Sequence, residues 1–216
     1  MQNASEVYQV FHNKDYEYNY DYDKQDDFYC YPKTNILINK FDIQNKSDLS
    51  TVERQITALK IAKLEESPVQ GSFNLEHLKN IHRFIFEDIY TWAGEARKGE
   101  FLIKGDSIFC RAIYIEKMAS EVHNKLIADN YLRNLNKADF IAKLAYYMGE
   151  INALHPFREG NGRTQRLYFK QLCTRAGYDL EFSKTQKDIL LKADIAAFNC
   201  EYKLMEDLLD FIVSVN

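Results

Sequence analysis

The chain has 216 residues, enough for one well-cored domain and cramped for two. Its 46% apolar and 28% charged residues fit a soluble globular protein, and a net charge of -4 excludes the broad cationic footprint of a DNA- or RNA-binding surface. Neither a membrane-length apolar stretch nor a secretory start is present, and the four cysteines are too scattered for a disulfide framework or zinc site, so a cytoplasmic protein with reduced thiols and no membrane partner is expected.

Residues 1–30 form a polar arm rich in tyrosine and acid, as in Tyr16-Glu17-Tyr18-Asn19-Tyr20-Asp21-Tyr22-Asp23. Such alternation can make an edge strand, but without aliphatic residues it reads first as an arm lying over the surface and second as a substrate-docking arm. Tyr31-Pro32-Lys33-Thr34-Asn35 is a connector. Ile56, Leu59, Lys60, Lys63 and Leu64 then recur at helical spacing until Ser67-Pro68 breaks the run. A second helix is predicted from an Asn74 cap, carrying Leu75, Leu78, Ile81, Ile85 and Ile89 on one side until Gly94 ends it. Over 96–112 two short apolar runs flank Lys104-Gly105-Asp106-Ser107, the pattern of a β-hairpin. Helices are predicted again at about 114–129, 138–154, 185–198 and 201–214, with one more after the loop at 155–162 that buries Tyr168, Phe169, Leu172, Cys173 and Ala176. No internal repeat is visible, so the fold class is all-α: a compact helical bundle with one hairpin.

The twelve residues His155-Pro156-Phe157-Arg158-Glu159-Gly160-Asn161-Gly162-Arg163-Thr164-Gln165-Arg166 carry the chemistry. Pro156 ends one helix, and the glycines let the chain turn so that backbone N–H groups crown the next helix, which starts near Gly162. Such a helix start seats an anion. Arg163 and Arg166 are three apart and share a face that can meet phosphate oxygens. Glu159 can hold a magnesium ion that bridges phosphates. His155, beside the seat, can accept the proton of a hydroxyl attacking an α-phosphorus, which would transfer a nucleoside monophosphate and release pyrophosphate. Taken singly these signals are weak: glycine-asparagine-glycine is a common turn, helix arginines usually face water, and a lone histidine is more often structural.

The whole string resembles the signature of the Fic (filamentation induced by cyclic AMP) family. The resemblance extends to Ile89-Tyr90-Thr91-Trp92-Ala93-Gly94-Glu95-Ala96-Arg97 and the following hairpin, and from about Tyr31 to the C-terminus the chain looks like the short bacterial Fic toxins; residues 1–30 fall outside the resemblance. It implies a Fic domain over 31–216 with an N-terminal helical extension, and AMP transfer from ATP to a serine, threonine or tyrosine hydroxyl of a target protein. By the same resemblance His155 is the general base and Glu159 the magnesium-binding acid. Gly160, Asn161 and Gly162 form the anion-binding turn, Arg163 and Arg166 contact the outer phosphates, and Phe157 anchors the loop. The hairpin, about 98–111, becomes a flap whose Ile103, Lys104, Gly105, Asp106 and Ser107 pair with an extended target segment. Trp92 is expected in the core, and His12, His77, His82 and His123 show no metal-ligand spacing.

Two other functions compete. Transfer of UMP, phosphate or phosphocholine is possible on such a scaffold, because the motif does not read the base; a binding module with lapsed catalysis would show an altered histidine or acid, and neither is altered. Many family members silence themselves with a helix carrying serine or threonine, three residues, glutamate, then glycine or asparagine. Ser72-Phe73-Asn74-Leu75-Glu76 meets the first half, but His77 follows and the segment reads better as a helix start. The inhibitor is therefore expected as a separate small antitoxin, with type II topoisomerase subunits as targets in similar toxins.

Overall fold

A computed structural model describes residues 20–22, 28–99, 102–104 and 107–216. Most of the arm, 1–19 and 23–27, and the turn residues Gly105 and Asp106 lie outside the described residues. Helix α1 (Lys46–Glu66) is capped by Asn45, whose side chain accepts from the Ser47 and Asp48 N–H groups, and it stops at Ser67 ahead of the proline. Helix α2 (Leu75–Phe86) starts at the expected cap, with the Asn74 side chain accepting from His77 N–H. It ends eight residues before Gly94, a correction to the longer helix expected. Periodicity reports burial rather than backbone bonding, and Ile89, Tyr90 and Trp92 stay buried in the turns that follow.

Helices α3 (Ile115–Ala128), α4 (Lys137–Leu154), α5 (Asn161–Ala176), α6 (Lys187–Phe198) and α7 (Lys203–Ile212) complete the bundle. Helix α4 runs through its middle, against α3, α5, α6 and α7, and its Phe140, Leu144 and Ala145 are fully buried. At Gly149 the crossing with α6 is so close that a Cβ would stand 2.8 Å from the Ala197 carbonyl oxygen.

Two small sheets frame the bundle. The hairpin is present, β2 (Leu102–Lys104) against β3 (Ser107–Ile108), and a further strand, β1 (Tyr20–Tyr22), adds antiparallel to β2. Part of the tyrosine-rich arm is thus an edge strand, its alternation satisfied by pairing. The final helix is shorter than expected: it stops at Ile212, and β5 (Val213–Val215) pairs antiparallel with β4 (Tyr178–Leu180). Val-Ser-Val alternates and is β-branched, which favours an extended chain over a last helical turn. No helix among the described residues is long and apolar enough to cross a membrane.

Candidate active site

The site begins where α4 ends. His155 caps that helix in the left-handed region, φ 42° and ψ 59°, a conformation that costs a non-glycine residue about 1–3 kcal/mol unless its surroundings hold it. Three contacts do so. Its carbonyl accepts from Arg97 Nε at 2.9 Å, its N–H reaches the Ile151 carbonyl at 3.4 Å, and its ring stacks on Phe109 with 3.9 Å between centroids. Arg97 also donates to the Cys110 carbonyl, and its own N–H donates to the Pro156 carbonyl at 2.7 Å. Since Cys110 N–H bonds the Ala153 carbonyl at 2.9 Å, both ends of the hairpin segment are fastened to the turn that carries His155.

Phe157 is fully buried and lies flat on His82, 3.9 Å away, as an anchor should. The Asn161 amide spans the loop, accepting from Phe157 N–H at 2.9 Å and donating to the Phe157 carbonyl at 2.7 Å. Its side chain shapes the turn, so what Asn161 can offer an anion is its backbone N–H. Gly160 sits at φ 82°, and a Cβ there would come within 2.3 Å of the Phe86 ring, so only glycine fits. Helix α5 starts at Asn161, one residue before the expected Gly162. Its first intrahelical bond runs from Thr164 N–H to the Gly160 carbonyl at 3.1 Å, and Gly160 offers no capping side chain. The N–H groups of Asn161, Gly162 and Arg163 therefore crown an open helix N-terminus.

Beneath the loop His82 acts as a spacer. Its Nδ1 accepts from Gly94 N–H at 2.8 Å, so Nε2 carries the proton and donates to the Glu159 carbonyl at 3.0 Å. Burial drives its pKa down to about 3, which keeps the ring neutral. Above it the Glu159 carboxylate is partly exposed, with Oε1 accepting from Gly160 N–H at 2.9 Å and lying 3.5 Å from Arg163.

The two arginines answer to different helices. Arg163 pairs with Glu53 on α1 at 2.7 Å, donates to Thr57 at 3.4 Å and lies over the Phe86 ring, while the Tyr90 hydroxyl donates to the other Glu53 oxygen. Arg166 has Asp194 of α6 as its electrostatic partner; burial pushes the Asp194 carboxyl up to about 7, with Arg166 opposing the rise. Of the flap residues, Ile103 is half-buried in β2, Lys104 ends β2 and Ser107 opens β3; Gly105 and Asp106 are outside the described residues. Glu76 meets Lys79 at 3.9 Å in the first turn of α2, so Ser72–Glu76 leads into a core helix, as its sequence suggests. Trp92 is in the core, stacked on Tyr90.

Glu53, Arg97, Phe109 and the His82 spacer were not legible as site residues in the sequence. Glu53 lies 110 positions from Arg163. Only Arg97 carried a signal, as the last residue of the run that ends Trp-Ala-Gly-Glu-Ala-Arg.

A helical bundle that holds a histidine, an acid and an open helix N-terminus under a short flap defines the Fic class of domain. The Fic/DOC family model matches residues 72–173. The chain is 40% identical over 163 residues to a Fic protein of Escherichia coli K12 named a probable protein adenylyltransferase, covering 75% of this chain and 80% of that one. It is 35% identical over 188 residues to the protein adenylyltransferase VbhT of Bartonella schoenbuchensis, covering 87% of this chain but only 39% of VbhT. Among solved structures, the ADP-bound N-terminal Fic domain of a Bartonella quintana cell filamentation protein superposes with a TM-score of 0.83 at 28% identity, over 88% of this chain and 96% of that one. The chain belongs to the Fic/DOC family.

Proposed function

We propose that this chain transfers AMP from ATP to a hydroxyl of a target protein. The observation that carries the reading is the open N-terminus of α5, whose Asn161, Gly162 and Arg163 N–H groups stand beside His155 and Glu159 on one tightly tied turn. The adenylyltransferase names of the two relatives and the ADP bound to the similar Bartonella domain support an adenine nucleotide as the ligand.

In this reading the helix N-terminus and Arg166 neutralise the phosphates, and the imidazole of His155 takes the proton of the attacking hydroxyl. The hydroxyl oxygen bonds the α-phosphorus, the bond to the β-phosphate's bridging oxygen breaks, and pyrophosphate leaves. Among the described residues no cluster of three or more His, Cys, Asp or Glu could hold a metal by itself. A single partly exposed carboxylate, Glu159, suits magnesium, which shares its coordination with phosphate and water oxygens and, when bound, supplies further charge neutralisation. The flap would present the target strand to His155, and the Fic unit would reach from Tyr31 to the C-terminus. We further infer that silencing comes from a small antitoxin presenting a glutamate to Arg166, and that type II topoisomerase subunits are the first targets to try.

The test is intact-mass measurement of candidate targets incubated with the chain, ATP and magnesium. A gain of one AMP that disappears with His155→Ala supports the reading, and the expected loss is at least about a hundredfold in rate. Transfer at the wild-type rate by folded His155→Ala would remove His155 from the mechanism. Absence of any AMP transfer by the wild type, across all candidates and a whole-cell extract, would refute the proposed activity.

A further inference from the structure

One side chain reaches from the base of the hairpin to the turn that carries His155. Arg97 is buried, and the planar fork of its guanidinium ends on two segments at once, with Nε on the His155 carbonyl at 2.9 Å and Nη2 on the Cys110 carbonyl. Its backbone N–H takes the next carbonyl of the turn, that of Pro156, at 2.7 Å. Two consecutive peptide planes, after His155 and after Pro156, are thus fixed from one residue. Among the described residues no carboxylate pairs with Arg97. A buried charge is costly to hold in this way for stability alone, which separates Arg97 from an ordinary packing residue.

The His155 backbone needs that hold. It stands at φ 42° and ψ 59°, and the proline that follows disfavours the right-handed helical region at this position, so the relaxed alternative is extended backbone. A change from left-handed to extended backbone turns the Cα–Cβ bond and carries the imidazole off the Phe109 ring, on which it stacks at 3.9 Å. Phe109 is itself buried and meets Phe198 edge to face at 5.3 Å. The two ends of the hairpin segment therefore hold His155, Arg97 through the backbone and Phe109 through the ring. The anion seat has other supports. Asn161 closes the turn on both backbone groups of Phe157, His82 donates to the Glu159 carbonyl, and none of these bonds involves Arg97.

We propose that Arg97 is a positioning residue for the transfer step: by holding the His155 and Pro156 carbonyls it keeps the imidazole aimed at the incoming hydroxyl, and it takes no part in binding ATP. The inference rests on the adenylyl-transfer reading above, in which His155 accepts the hydroxyl proton. A reacting group displaced by about 1 Å loses on the order of a hundredfold in rate, so loss of Arg97 falls on turnover rather than on nucleotide affinity. Lysine in its place keeps the charge but replaces the rigid fork with a single ammonium.

The experiment compares full-length Arg97→Lys with the wild type in three measurements; Arg97→Gln takes its place if the lysine variant does not fold. Calorimetry gives the ATP dissociation constant, α-labelled ATP with magnesium and a whole-cell extract gives the transfer rate at saturating nucleotide, and proton NMR gives the His155 ring signals, which the face of Phe109 shifts upfield. Transfer should fall about a hundredfold while ATP affinity stays within about twofold of the wild type. The His155 ring signals should lose their upfield shift, and the Asn161 and Gly162 amide signals should stay in place. Undiminished transfer, a loss matched by an equal loss of ATP affinity, or His155 signals that keep their shift overturns the proposal and leaves the transferase reading standing. No label on any protein with the wild type overturns both.

Discussion

Acid should loosen the turn at 155–161 through His82. The ring is fully buried, its Nδ1 accepts from Gly94 N–H and its Nε2–H holds the Glu159 carbonyl. Burial lowers its pKa from 6.5 to about 3, so below pH 6.5 the unfolded chain binds a proton that the folded chain refuses. Stability contributed by the neutral ring is complete above pH 6.5 and declines as the pH falls toward 3. At about 1.36 kcal/mol per unit, the decline is roughly 2 kcal/mol by pH 5 and at most about 5 kcal/mol by pH 3. The comparison is with His82→Gln, whose amide can still reach the Glu159 carbonyl but does not titrate. Urea unfolding at pH 7, 6 and 5 should show the wild type well ahead at pH 7 and its lead narrowing by about 2 kcal/mol at pH 5. His77, also held below its usual pKa by burial, is common to both proteins and cancels. A lead that stays constant from pH 7 to pH 5 would show that His82 is not carried neutral in the fold.

Glu53→Gln should lower stability by about 1–3 kcal/mol, because it removes the charge partner of a largely buried Arg163 and leaves Tyr90 to a weaker acceptor; equal melting temperatures would refute the pairing. Gly160→Ala should abolish transfer while the bundle stays helical by circular dichroism, since φ 82° and the Phe86 ring together forbid a Cβ; full activity would show that the turn can rearrange freely. ATP affinity should weaken as the pH rises through about 7, where Asp194 ionises and competes for Arg166, and Asp194→Asn should remove that step; identical pH profiles for variant and wild type would separate Asp194 from the nucleotide site.

The parts of this protein that could be read from the sequence are those whose physics is local. Asn74 before an apolar period, Ser67-Pro68 after one, and Gly160-Asn161-Gly162 before another each specify a helix boundary through nearby atoms, and the boundaries fall within a residue or so of those positions. Where burial and backbone bonding part company, the reading fails: Ile89 keeps the α2 period although the chain has left the helix, and at Val213–Val215 pairing with Tyr178–Leu180 has replaced the helical bonds expected to run on from Ile212. Contacts across the fold leave less trace. Nothing near Glu53 says that its carboxylate will meet Arg163, and nothing near Phe109 says that its ring will cover His155. The tyrosine alternation lies between these cases. Its period of two was visible and permits a strand, but a strand is realised only by a partner edge, and that edge is β2, some 80 residues further on. The rule that lets 20–22 pair is local, but the pairing is made by an edge that the arm's own sequence does not contain.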